Sequence, residues 1–304
     1  MKMRILSLLA VGFCCLLLPS RSLSLPCSNT SYSGGWRCVQ QNSFFQNSGS
    51  GVTTVNVGMS SLGAHHLIIG FWFECGSVTC TGAHDTHGNM SDAVNGNYTC
   101  PVSNDNVAVG AFSGMGSGAC YFCNTTSGAI NVAMTFSNAS FPRVYVIEVS
   151  NDNGNIASSC LDQTSISTLT SGTSASPAIA STASTTANDD FVYSFITTID
   201  GNTTAATGGF TALGQANAVA AEIEDGATQT TYTTGWTITP GGAGQGDFMG
   251  GLLTFLNPVQ ASNATQIGSF IVMKGTHAGH GWPWRMRKIP WDRPRKLILE
   301  IKKI

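Results

Sequence analysis

The stretch Arg143-Val144-Tyr145-Val146-Ile147-Glu148-Val149 carries apolar side chains on both of its alternating faces. β-Branched and aromatic residues dominate it, Pro142 precedes it, and the turn-forming residues 151–154 follow it. Because successive side chains of a strand point to opposite faces, this composition predicts a strand buried on both sides at the centre of a packed sheet. We expect the other strands to pack around it.

Several other runs have the composition of strands, and clusters of Gly, Asn, Ser and Asp separate them. The run 66–73 is also apolar on both faces and is predicted to neighbour the 143–149 strand. No segment of the body sustains a helical apolar period, so we predict an all-β protein, an antiparallel β-sandwich of jelly-roll or immunoglobulin-like type. The predicted core residues are Ile69, Phe71, Val144, Val146, Ile147, Phe191, Phe195 and Phe255.

Composition divides the chain into four segments. Residues 1–24 are predicted to be a signal peptide, because a charged start and the apolar run 5–18 precede small residues at Ser22–Ser24, where cleavage is expected. An uncleaved anchor is the alternative, which the adjacent cleavage site disfavours. Residues 25–50 are predicted to be a polar, loop-like segment, 51–258 one sandwich domain, and 259–304 a basic, mostly disordered tail with three tryptophans. We therefore expect a secreted or cell-surface protein.

Eight cysteines follow the signal peptide, and an even number in an oxidising compartment predicts a fold stapled by disulfides. They are Cys27, Cys38, Cys75, Cys80, Cys100, Cys120, Cys123 and Cys160. Short loops favour the pairs Cys27–Cys38 and Cys75–Cys80, while the other pairings stay open. The alternative is a zinc site formed by Cys75, Cys80, Cys120 and Cys123, which export disfavours.

Charge is unevenly distributed along the chain. Residues 25–265 contain two basic and fourteen acidic side chains and no lysine, a net charge of 2 − 14 = −12. Residues 266–304 contain nine basic and two acidic side chains, a net charge of 9 − 2 = +7. Phosphate contacts require Lys and Arg, so the body excludes nucleic acid as a partner. A glycan or the cell-envelope surface is the expected partner, and membrane contact is expected only through the basic tail.

The order of these runs resembles a β-sandwich domain that is common among uncharacterised exported bacterial proteins. The similarity spans residues 52–257 and rests on the segments 66–73, 85–89, 144–150, 161–164, 186–191, 224–225 and 252–256. The resemblance implies a sandwich fold and export. It implies no activity, because it includes no catalytic motif.

Two groups of side chains are candidates for chemistry. His84, Asp85 and His87 lie in one Gly- and Asn-rich turn and offer a possible transition-metal site, but we predict exposed turn residues and no metal. Four carboxylates are the candidate catalytic residues of a polysaccharide hydrolase: Glu148, Glu222, Glu224 and Asp225. On a strand, Glu222 and Glu224 would share a face about 6.6 Å apart, a spacing close to that of paired glycosidase acids.

Aromatic residues give the clearest indication of binding. Trp36, Tyr232 and Trp236 are the predicted ligand-binding residues, because flat apolar rings stack on sugars. The glycine-rich run 114–119 formally fits a dinucleotide-binding motif but lacks a following helix, so we interpret it as a loop. We predict a non-enzymatic surface, adhesion or glycan-binding protein without a cofactor. A polysaccharide hydrolase and a structural envelope or appendage protein are the alternatives.

Overall fold

The structure, a computed structural model, describes most of the body of the chain. The described residues are 27, 29–46, 49–77, 87–109, 112–129, 131–169, 178–180, 184–198, 203–207, 210–216, 219–226, 230–239 and 248–258. The predicted signal peptide and the predicted tail from residue 259 lie outside them, as do His84, Asp85 and Cys80.

The first half of the chain forms two antiparallel sheets. Its strands are β1 (Thr30–Ser31), β2 (Trp36–Phe45), β3 (Val52–Gly58), β4 (Leu67–Cys75), β5 (Ser91–Asp92), β6 (Gly96–Asn97), β7 (Thr99–Val109), β8 (Phe112–Cys123), β9 (Asn131–Ser140) and β10 (Arg143–Asn151), with a 3-10 turn at Ser33–Gly35. The order β1-β2-β10-β4-β8-β7 makes the first inner sheet, and β3-β9-β5-β6 makes the first outer sheet.

The second half also forms two antiparallel sheets. Its strands are β11 (Leu161–Leu169), β12 (Ala178–Ala180), β13 (Asp190–Thr198), β14 (Thr203–Thr207), β15 (Thr211–Ala216), β16 (Val219–Gly226), β17 (Thr233–Thr239) and β18 (Phe248–Phe255). The order β11-β18-β13-β16-β15 makes the second inner sheet, and β12-β17-β14 makes the second outer sheet.

The two halves have the same topology. If β1 is set aside and the β5–β6 hairpin is counted as one position, each half has eight positions, with the order 1-8-3-6-5 in the inner sheet and 2-7-4 in the outer sheet. A double sheet wound in this way is a jelly roll. The all-β, antiparallel sandwich prediction is confirmed. Within the single domain predicted over residues 51–258, together with β2, the described strands form two such sandwiches.

The two inner sheets pack face to face. Phe71 of β4 stacks on Phe195 of β13, with ring centroids 4.9 Å apart. At one side of this contact β2 meets β15, where the Gln41 Nε2 donates to the Leu213 carbonyl at 3.0 Å; at the other side β7 meets β11. The first position of each half therefore contacts the fifth position of the other half, and the two third positions contact each other. A twofold relation between the halves requires this pattern.

This arrangement explains the strand that is apolar on both faces. Tyr145, Ile147 and Val149 of β10 face the core shared by the two inner sheets, whereas Val144 and Val146 face the first outer sheet. The predicted neighbour is confirmed, since β4 pairs with β10 from Leu67–Val149 to Phe73–Arg143. All the predicted core residues are buried. A third core lies between the second inner and outer sheets and includes Val192, Ile196 and Trp236.

Two local predictions are wrong. Residues 36–45, predicted as part of a loop-like segment, form β2 and pair with β10 along its whole length, so this segment belongs to the first inner sheet. Trp36 and Cys38 are buried in the shared core. Because most of their neighbours in the sequence are polar, the segment was not recognised as a strand. The glycine-rich run 114–119 lies within β8, paired with β4, rather than in a loop.

Three disulfides join described residues. The predicted Cys27–Cys38 pair is confirmed, with Cα atoms 5.1 Å apart. The others are Cys100–Cys120, which joins β7 to β8, and Cys123–Cys160, which joins the end of β8 to the segment before β11. Cys75 is also disulfide-bonded, while its predicted partner Cys80 lies outside the described residues. These bonds indicate an oxidising compartment.

Candidate functional site

Backbone strain is concentrated at one end of the molecule, where β2, β4 and β13 begin and β8 and β10 end. We call this the loop end. The non-glycine residues with left-handed backbone in the described chain are Asn29, His65, Asn124 and Asp189, with φ between 56° and 61°. All four adjoin this end, and the His65 Nδ1 donates to the Asn124 Oδ1 at 2.6 Å. Strained residues of this kind cluster at functional sites, so the loop end is the candidate site.

A buried carboxylate organises the first half of the loop end. Glu148 is completely buried. Its Oε1 accepts from the Gly63 backbone N–H at 2.7 Å and from the His66 Nδ1 at 2.5 Å, while its Oε2 accepts from the Gln40 Nε2. Burial alone would raise the pKa of Glu148, but these hydrogen bonds outweigh burial and lower it. Glu148 is therefore an ionised internal acceptor.

The surrounding loop is built to hold the imidazole of His66. A Cβ atom at Gly63 would lie 2.2 Å from the His66 Cε1, so only glycine leaves room for the ring. The Thr125 Oγ1 donates to the Gly63 carbonyl at 2.7 Å and accepts from the His66 backbone N–H at 2.9 Å. Glu148 therefore fixes the ring through Nδ1, and about a quarter of the His66 side chain stays exposed.

The second half places different chemistry at the equivalent position. The two halves can be aligned on the last residue pairs of their central strands, Leu67–Val149 and Phe191–Phe255. In this alignment Asp190 occupies the position that His66 has in the first half. By the same alignment Asp189 corresponds to His65, and both have left-handed backbone. The equivalence arises from the shared topology.

Carboxylates face each other in this second position. Asp162 lies in a bulge of β11, and its oxygens accept from the Thr186 backbone N–H at 2.7 Å and from the Thr186 hydroxyl at 2.9 Å. Asp190 is completely buried and contacts Asp162. Burial first, and then the contact with Asp162, raise the pKa of Asp190 to about 8.

Two contacts tie this carboxyl pair to the first half. The Trp36 Nε1 donates to the Asp189 carbonyl at 2.7 Å. The Asn257 Nδ2 donates to the Gly34 carbonyl at 2.7 Å, and the Asn257 backbone N–H reaches the Asp190 Oδ1 at 3.3 Å. The pair therefore lies at the seam between the two sandwiches.

The structure places all three predicted ligand-binding aromatics in the interior. Trp36 is fully buried and packs on Phe191, with ring centroids 5.2 Å apart. Trp236 is fully buried in the third core, where its Nε1 donates to the Ser194 Oγ at 3.3 Å. Tyr232 is buried beside it. A sugar could stack on none of these rings without displacing core side chains.

The four candidate catalytic carboxylates do not form one constellation. Glu148 shares the face of β10 that points to the first outer sheet. Glu222, Glu224 and Asp225 lie on β16 of the second inner sheet, on the opposite side of β10. Glu222 and Glu224 do lie in a strand, opposite Ser194 and Val192, but their side chains are outside the described set. Glu148 therefore cannot be the second acid of a pair with them.

The zinc alternative loses two of its predicted ligands. Cys120 and Cys123 are bonded to Cys100 and Cys160, so neither offers the zinc alternative a thiolate. His87 lies against Trp72, with ring centroids 4.1 Å apart, and bridges Phe136 of β9. His84 and Asp85 lie outside the described residues, so the metal site proposed for that turn stays untested. Among the described residues no group of three or more His, Cys, Asp or Glu side chains could hold a metal ion.

No protein-family model, curated protein or solved structure matches this chain. The resemblance to an exported bacterial sandwich domain therefore stays a prediction. In the described ranges, no helix is long and apolar enough to span a membrane.

The pairing of His66 with Glu148 was not predicted, although the sequence contains a signal for it. Glu148 is the single acidic residue in a strand that is mostly apolar on both faces. A buried carboxylate needs donors, and His66 opens the neighbouring strand. Gln40 and Gly63 gave no such signal, because they come from a segment predicted as loop and from a turn.

Proposed function

We propose that this protein is an exported, non-enzymatic surface or adhesion module that binds glycans through its loop end. The observation that carries the proposal is the gathering of Asn29, His65, Asn124 and Asp189, in strained left-handed backbone, at one end of a rigid double sandwich. Such strain costs stability, and a fold retains it where it serves binding. Loops at the end of a sandwich are also a common place for recognition.

The side chains at the loop end suit a hydroxyl-rich ligand. His65 and Asn124 are exposed, and Arg37 and Asp152 form a partly exposed pair with nitrogen and oxygen 2.7 Å apart. Amide, imidazole, guanidinium and carboxylate groups offer both donors and acceptors to sugar hydroxyls. Since the predicted stacking residues are buried, recognition would depend on these hydrogen bonds.

Two buried acids, Glu148 and Asp92, support a non-enzymatic function. Glu148 accepts three hydrogen bonds and has no solvent contact. Asp92 accepts from the backbone of Val94 and Asn95 and from the Tyr98 hydroxyl, which fixes the β5–β6 hairpin. A general acid or base must reach the proton that it transfers. These two carboxylates instead hold loops.

Export is supported by the predicted signal peptide and by the disulfides of the first half. The lysine-free, acidic body would also stay soluble by self-repulsion outside the cell.

The proposal is tested by screening the protein against a glycan array and against intact cell surfaces. His65→Gly removes an exposed side chain and suits the left-handed backbone, so we expect an unchanged or higher melting temperature with weaker binding. Thr54→Ala, on the exposed face of the first outer sheet, is the matched control and should bind as the wild type does.

Two other results would replace the proposal. Release of reducing sugars from a polysaccharide, abolished by Glu222→Gln or Glu224→Gln, would favour the hydrolase. Self-association at low concentration, with no glycan or cell binding, would favour a structural envelope or appendage protein. Equal binding by wild type and His65→Gly would place the binding surface away from the loop end.

A further inference from the structure

The carboxyl pair at the seam lacks the side-chain hydrogen-bond donor that its counterpart has. In the first half the His66 Nδ1–H faces the Glu148 carboxylate. In the second half Asp190, at the equivalent position, faces Asp162 instead. The Asp190 Oδ2 is buried without a hydrogen-bond partner. A buried carboxylate oxygen in this situation requires a cation or a proton.

Among the described residues, the two arginines, His65 and His66 make their contacts elsewhere. Residues 25–265 contain no lysine and only two arginines, Arg37 and Arg143. The guanidinium of Arg37 bonds to Asn29 and Asp152. Arg143 lies over the Phe73 ring at the opposite end of β4. His65 and His66 are held by Asn124 and Glu148 in the first half.

We propose that a divalent cation of the Ca²⁺ type bridges Asp162 and Asp190 at the seam between the two sandwiches. Ca²⁺ binds carboxylates, hydroxyls, backbone carbonyls and water through oxygen, and it tolerates irregular geometry. Two carboxylates supply the charge, and the Thr186 hydroxyl is 2.9 Å from the Asp162 Oδ1. Neutral oxygens and water complete the shell.

The pair is accessible from one side only. Asp190 is completely buried, whereas Asp162 is partly exposed and Thr186 is exposed. An ion therefore enters past Asp162 and meets the buried oxygen of Asp190 last. A bound cation would fix β11 to the start of β13 and so preserve the contacts of Asp189 with Trp36 and Asn257. This inference goes beyond glycan binding and stands whether or not the loop end binds a glycan.

Trp36 supplies a built-in reporter for the experiment. Tb³⁺ takes the oxygen ligands of Ca²⁺ and luminesces when a nearby tryptophan is excited. Because the Trp36 indole bonds to the residue before Asp190, Tb³⁺ added to the full chain should give sensitised luminescence that Ca²⁺ reverses. Asp162→Asn should weaken Tb³⁺ and Ca²⁺ binding by about tenfold or more, since it removes a charged ligand. Trp36→Phe should lower the signal but leave Ca²⁺ binding in place.

Thermal unfolding gives the second readout. At a Ca²⁺ concentration about a hundred times the Kd, the melting temperature should rise by several degrees over that in chelator. Asp162→Asn should lose this rise. Asp152→Asn, which removes another carboxylate from the loop end, is the matched control and should keep it.

Two results would overturn the inference. If Ca²⁺ neither binds nor raises the melting temperature of the wild type, while Asp162→Asn is more stable in chelator, the pair shares a proton and holds no cation. If Ca²⁺ binds Asp162→Asn as tightly as the wild type, the cation site lies elsewhere.

Discussion

The two halves of this protein have the same strand order but are held together differently. All eight cysteines that follow the predicted signal peptide lie between residues 27 and 160, so the second jelly roll, β11–β18, contains none. Both inner sheets nevertheless have buried central strands: β4, β13 and β18 are buried along their whole length, and β10 is buried except at Ser150. The comparison indicates that apolar burial specifies the jelly roll and that the disulfides reinforce one copy of it.

The halves differ in a second way at the loop end. In each half, a side chain on the strand at the first position, β2 or β11, fixes the loop before the strand at the third position, β4 or β13. The Gln40 Oε1 accepts from the Ser60 N–H at 2.9 Å, and the Asp162 Oδ2 accepts from the Thr186 N–H at 2.7 Å. Beside these contacts one half has an imidazole against a carboxylate and the other has two carboxyl groups. The two groups occupy equivalent positions in the two jelly rolls, but their charges differ.

The largest expected effect comes from a charge placed in the shared core. Ile147 and Leu253 occupy equivalent positions on β10 and β18, and both are buried between the inner sheets. Ile147→Asp should destabilise the protein by about 4 kcal/mol or more, because an unpaired charge would be buried. Leu253→Asp should cost a similar amount. Urea unfolding measures both. A loss confined to one half of the chain would show that the halves have separate cores.

The next effect concerns the disulfide between the end of β8 and the segment before β11. It closes a separation of 37 residues. Replacing Cys123 and Cys160 together by Ser should lower the free energy of unfolding by about 2–4 kcal/mol, mainly because the unfolded chain gains freedom. Denaturant titration of the double variant checks this value. An unchanged midpoint would contradict a stabilising function for this bond.

The pairing of His66 with Glu148 should make the first half sensitive to acid. The folded-state pKa of Glu148 is lowered, so its contribution to stability is present above the ordinary carboxyl pKa and is lost as the pH falls through the folded value. His66→Ala removes one donor and should cost about 2 kcal/mol near neutral pH. Glu148→Gln should flatten the acid limb of the stability curve. An acid limb that is the same in wild type and Glu148→Gln would contradict the assignment.

The smallest effect is expected for the exposed pair at the same end. Arg37 and Asp152 have side chains 34% and 51% exposed. Replacing either by Ala should change stability by less than about 1 kcal/mol, because water and salt screen the charges. Comparison with His66→Ala by thermal unfolding tests whether burial sets the strength of polar contacts at the loop end. Equal losses for the two pairs would contradict this.

Much of the fold could be predicted from the sequence. Val144 to Val149 and the run 66–73 were predicted as neighbouring strands because their apolar residues occupy both faces, and the structure confirms it. The same pattern implied more than two layers, since a sheet in a simple sandwich has one wet face. The sequence-based prediction was nevertheless a single two-layered sandwich.

The candidate site could be predicted only in part. Glu148 was predicted only as a candidate catalytic acid, because its partners come from β2 and from the loop before β4, which no local pattern joins to β10. Trp36, Tyr232 and Trp236 were predicted as binding residues, since aromatic side chains serve both cores and sugar sites. Only the tertiary packing of the inner and outer sheets shows that these three side chains belong to cores.

The central claim is that the two jelly rolls share one core and unfold as one unit, and native-state hydrogen exchange tests it most directly. We predict that the backbone amides of β4, β10, β13 and β18 exchange only by global unfolding, with the same free energy and the same dependence on denaturant, because both faces of these strands are buried. Exchange of β13 and β18 through a separate, lower-energy opening, while β4 and β10 stay protected, would contradict the shared core.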